Sequence, residues 1–66
     1  MKGDYNKMKL SKIDNNGITL YLTIKNGINM LTGNPAKALK FESAKAANNY
    51  NKTLTHPNLQ GLQVSL

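Results

Sequence analysis

Apolar and polar residues alternate without a break from Ile18 to Ile24: Ile18, Leu20, Leu22 and Ile24 fall on one side, Thr19, Tyr21 and Thr23 on the other. Period-two alternation with β-branched and aromatic residues predicts a half-buried strand, the best in the chain. Lys7 to Ile13 alternates over most of its length, with Met8 and Leu10 on one face and Lys7, Lys9 and Ser11 on the other. Ile13 breaks the parity, which predicts a bulge or a strand end near it. Asp14-Asn15-Asn16-Gly17 between the two runs is a turn, because asparagine and glycine tolerate positive φ. Asn26-Gly27 is a second hairpin turn, so Ile28 to Leu31 pairs back and completes a three-stranded meander. Met30 and Leu31 are adjacent and cannot share a strand face; one of them packs on a helix or a partner. Thr32 to Pro35 then interrupts regular structure.

The rest of the chain is organised around Ala38 to Leu54. Ala38 to Phe41 alternates as a short extended lead, either paired in the sheet or simply entering the helix. Ser43 is placed to cap the helix, its hydroxyl accepting from an orphaned amide of the first turn. Ala44, Ala46 and Ala47 favour helix, and Ala47, Tyr50 and Leu54 make one inward stripe. Phe41 is expected to wedge between helix and sheet. Thr55-His56-Pro57-Asn58 stops the helix, since a proline biases the residue before it away from helix. Leu59 is expected to pack across the helix end. Leu62, Val64 and Leu66 then alternate in a last strand, which must pair within the sheet or across a dimer.

These elements predict an α+β fold: a small antiparallel or mixed sheet of three to five short strands with one helix packed on one face, in the order β-β-β-(β)-α-β. The expected core is Leu10, Leu20, Leu22, Ile24, Phe41, Ala47, Tyr50, Leu54 and Val64. The 66 residues make a single small domain, with the polar start, Met1 to Asn6, expected to be loose. A chain this short buries roughly 60% of its unfolded surface. Its core is therefore thin, and a partner subunit is one remedy.

The residues Ala38, Phe41, Ser43, Ala47 and Tyr50 follow the pattern A-x-x-F-x-S-x-x-x-A-x-x-Y over about a third of the chain. This resembles a strand-to-helix motif of small single-domain proteins of bacteriophages and prophages. The resemblance implies a strands-plus-helix fold and a phage-like origin. It carries no catalytic residue. The acidic and basic alternation usual on that helix is replaced here by asparagines.

Composition narrows the chemistry. There is no cysteine, which removes disulfides, thiolate metal sites and thiol catalysis. The net charge is +6, all nine cations are lysines, and asparagine is abundant. Excess lysine attracts phosphate; with no arginine, it also fits an AT-rich codon bias. Arginine is the commonest specific reader of guanine, so its absence speaks against sequence-specific DNA recognition. No apolar run is long enough to span a membrane, and MKGDYNKMKL lacks the apolar centre of a signal peptide, so the default expectation is cytoplasmic, in a bacterial host.

Catalysis finds little support. Asp4 lies in the polar start, Asp14 opens a turn, and Glu42 precedes the helix cap, where its charge suits the dipole. The only histidine, His56, sits before a proline. No G-x-S-x-G elbow surrounds a serine, no zinc or EF-hand ligand spacing occurs, and no phosphate loop is present. The expectation is a non-enzyme without metal or cofactor.

Two surfaces remain. Lys7, Lys9, Thr19, Tyr21, Thr23 and Lys25 can share the open face of the sheet, as in single-strand binders that stack bases on an aromatic flanked by cations. Lys37, Lys40, Lys45 and Lys52 form a second basic surface. Against these stands docking on a host or phage protein, served by an open sheet edge and by surplus apolar residues such as Met30, Leu31, Leu59 and Leu66. The same residues would also make a homodimer. The sequence favours a non-catalytic module for a protein partner, with inhibition of that partner as a natural role and nucleic acid as the alternative.

Overall fold

A computed structural model describes residues 7–66; the expectation of a loose Met1 to Asn6 lies outside the described residues. The fold is α+β. Strands β1 (Lys9–Ile13), β2 (Thr19–Lys25) and β3 (Ile28–Thr32) form the meander, helix α1 (Ala44–Asn51) follows, and β4 (Gln63–Ser65) closes the chain. The sheet order is β3-β2-β1-β4, with every neighbouring pair antiparallel.

The turns explain the register. Asn26 (φ 55°) and Gly27 (φ 77°) both take the left-handed region, the requirement of the two-residue hairpin turn whose twist matches its strands. They set Lys25 opposite Ile28. At the first turn the Asp14 carboxylate accepts the amides of Asn16 (2.8 Å) and Ile18 (2.9 Å).

The register runs unbroken to Ile13, which stands opposite Thr19 and is the last residue of β1, so of the bulge or strand end expected there it is the strand end that forms. Ile13 turns outward, 69% exposed, while Lys12 takes the inward parity. Its Nζ donates to the carbonyls of Asn58 (2.7 Å) and Gln60 (3.0 Å). A long amphipathic side chain can occupy an inward position when its head reaches polar atoms at the rim.

Strands β1 and β2 pair only at Ser11–Ile13 and Thr19–Tyr21. Backbone groups of alternate residues point to opposite sides of a strand. The bond from Asp14 N to Ile18 O (2.9 Å) shows that even-numbered residues of this segment point toward β2. Met8 has the same parity, yet it exchanges bonds with Phe41, while the carbonyl of Leu22 accepts from Leu39 N at 2.9 Å. The segment Leu39–Phe41 therefore fills the gap where β1 and β2 diverge. This answers which role the Ala38–Phe41 lead takes: it is held in the sheet at both margins on its way to the helix.

Ser43 caps α1, its hydroxyl accepting from Ala46 N at 3.1 Å. The helix packs on β1 and β4. Leu10, Leu22, Ala47, Leu54, Leu59 and Leu62 are buried together, with Met8, Leu31, Leu39, Phe41, Tyr50 and Val64 packed around them. Ala38 is buried as well. Two expected core residues lie outside this group. Leu20 is only half-buried, and Ile24 is 43% exposed. The cause is the length of α1: eight residues span about 12 Å, too little to cover both ends of β2. Leu59 and Leu62 occupy the core in their place.

Candidate functional site

Strand register defines two sheet faces. Leu10, Leu22 and Leu31 face the helix, whereas Lys9, Ser11, Tyr21, Thr23, Lys25, Ile28, Met30 and Thr32 share the outer face by pairing parity. Lys9, Thr19, Tyr21, Thr23 and Lys25 are thus brought to one face, as the sequence pattern predicts. Lys7 is not available in the same way, because its ammonium is ion-paired with the exposed carboxylate of Glu42. Tyr21 and Thr23 are half-buried, and the Thr23 hydroxyl donates to the carbonyl of Lys37 at 2.6 Å. The face also carries exposed apolar side chains: Ile13, Ile28 (63% exposed) and Met30 (45% exposed).

The second basic surface divides. Lys40 turns back on its own loop, its Nζ donating to the carbonyls of Ala38 (3.2 Å) and Pro35 (3.4 Å). Lys45 and Lys52, seven residues apart, stand on the side of the helix axis away from buried Ala47. Lys37 leaves this group and joins Lys25 beside β3, where both line one hollow.

Of the acids and the histidine weighed for catalysis, Asp4 lies outside the described residues and Glu42 is ion-paired with Lys7; the others, and Ser43, have local partners. Ser43 caps α1, Asp14 holds its turn, and His56 Nδ1 accepts from Asn58 N at 3.1 Å. Among the described residues no three His, Asp or Glu side chains gather into a metal-binding group. No helix among them is long and apolar enough to cross a membrane.

The feature that sequence reasoning placed least well is the margin of β3. Lys25 and Ile28 flank the two-residue turn and form a hydrogen-bonded pair. By alternation Met30 and Thr32 also direct their backbone groups to β2. Asn29 and Leu31 direct theirs away from the sheet, and among the described residues no backbone bond outside the sheet reaches them. A groove of about 550 Å³ runs along this edge, lined by Ile28, Leu31, Thr53, Leu54, His56 and Leu59 among others. A second hollow of similar volume lies over β2 and β3 beside Lys37, with Thr23, Lys25, Met30, Thr32 and Lys37 in its walls. Among the described residues neither lining contains an acidic one. The sequence signal for this margin was the adjacency of Met30 and Leu31, which had to face opposite ways.

No protein-family model matches the chain, and no curated protein or solved structure is significantly similar to it.

Proposed function

We propose that this protein is a non-catalytic binding module whose target is another protein. The observation that carries this is the distribution of charge around exposed apolar surface. Ile13, Ile28 and Met30 stand out on the outer sheet face among Lys9 and Lys25, while Lys45 and Lys52 point from the opposite side of the molecule. A nucleic-acid groove gathers its cations along one track. Lysines dispersed around apolar side chains instead suit steering toward a protein and then burial of its surface. The strand-to-helix motif adds that the target is a host or phage factor, with inhibition as a natural outcome. That part rests on the resemblance alone.

A second reading has one specific observation in its favour: Tyr21 shares its face with Lys9 and Lys25, a stacking platform flanked by cations. A salt-titrated binding assay with mixed-sequence single- and double-stranded DNA separates the two. The protein reading expects weak binding to both at about 0.15 M salt. Tight binding with a steep loss of affinity as salt rises, the mark of counterion release, would overturn it.

A further inference from the structure

We infer that the β3 edge is a docking site for an extended acidic–apolar peptide segment, which adds a fifth strand to the sheet. This deepens, and rests on, the protein-binding reading above. A strand edge is a template for another strand only if its outward backbone groups lack partners. Asn29 and Leu31 present theirs two residues apart, the period at which an antiparallel strand exchanges paired bonds. Sequence devices that usually blunt an edge are missing, for β3 (INMLT) contains neither proline nor charge. The opposite edge, β4, is only three residues long.

The two hollows give the added strand its pattern. Side chains of a strand alternate between faces, so those of the docked segment would alternate between the hollows flanking β3. On the helix side they meet Leu31, Leu54 and Leu59, which takes apolar side chains. On the outer side they reach over β3 toward Lys25 of β2 and Lys37, which takes long carboxylate side chains. The segment therefore alternates acidic and apolar residues.

Charge also decides the occupant. A second copy of this chain would bring another +6 to an edge already bounded by lysines, and like charges repel association. The described acids offer it no help at this edge: Asp14 holds its turn and Glu42 pairs with Lys7. An acidic segment from a different protein is the complementary partner.

The test uses a fluorescently labelled peptide of about eight residues alternating glutamate and valine, titrated into the isotopically labelled full chain at low salt. Two controls accompany it: the same peptide with lysine for glutamate, and one of the same composition in two blocks. The alternating acidic peptide is expected to bind, the controls to bind much more weakly, and the amides of Asn29 and Leu31 to become protected from hydrogen exchange. Lys25→Glu with Lys37→Glu, both exposed positions, is expected to weaken binding about tenfold. Leu31→Pro removes one outward amide and is expected to abolish it, with circular dichroism reporting whether the sheet survives. Equal binding of the lysine peptide, or protection elsewhere than at β3, would overturn the proposal. So would failure of the acidic peptide to bind. If the DNA titration is also negative, that failure removes this site and leaves the protein-binding reading. Steep, tight DNA binding removes the reading itself.

Discussion

Phe41 and Met8 exchange both backbone hydrogen bonds, each at 2.8 Å, across the gap that opens between β1 and β2. The Phe41 ring also lies against Tyr50 of α1, with centroids 5.4 Å apart and planes tilted by 49°, a favourable aromatic arrangement. One residue thus joins the split sheet to the helix. Phe41→Ala is expected to lower stability by about 3 kcal/mol, read by urea unfolding. Phe41→Leu keeps the backbone pairing and most of the volume, and should lose only about 1 kcal/mol. Equal losses for the two would mean that the ring contributes little.

The Ser43 hydroxyl accepts from Ala46 N and satisfies one orphan amide of a two-turn helix. Ser43→Ala should lower stability by about 1 kcal/mol, and Ser43→Asp should retain it because aspartate caps as well as serine. Thermal melts of the two variants check this. A neutral alanine variant would show that packing alone holds α1.

Lys12 clamps the turn that follows α1 through the carbonyls of Asn58 and Gln60. Lys12→Met preserves the stem but removes both donors, and is expected to lower stability by about 1 kcal/mol. The change should be largest locally, as faster amide exchange at Leu59 and Gln60, whose amides bond to His56 and Pro57 carbonyls. Uniform exchange changes across the sheet would assign Lys12 a global role instead.

Tyr21→Ala with Lys9→Ala removes, among the described residues, the one aromatic and one of the cations of the outer sheet face. The double variant should fold, losing about 1 kcal/mol of cross-strand packing, and should bind the acidic peptide as the unaltered chain does. A parallel DNA titration completes the check, since strong DNA binding that disappears in this variant would favour the nucleic-acid reading.

The meander was legible because its signals are local. Strict alternation over Ile18–Ile24, two glycine turns and a serine cap each specify backbone within a few residues. The inward Lys12 was not legible, because its partners are carbonyls more than forty residues away and polarity alone assigns a lysine to solvent. Leu20 and Ile24 were over-assigned to the core for a similar reason: alternation gives a face, whereas the reach of α1 decides how much of that face is covered. The candidate site was legible in part. Parity gathers Lys9, Tyr21 and Lys25, but the Lys7–Glu42 ion pair and the move of Lys37 beside Lys25 depend on how the loop after β3 crosses the sheet.

An open β3 edge is the physical basis of the proposed partner binding, and residue-resolved amide hydrogen exchange of the free protein measures it most directly. The amides of Met30 and Thr32, directed into the sheet, are expected to exchange slowly. Those of Asn29 and Leu31 should exchange fast at every protein concentration. Slow exchange at Asn29 and Leu31 would contradict this, and protection growing with concentration would show that a second copy already occupies the edge.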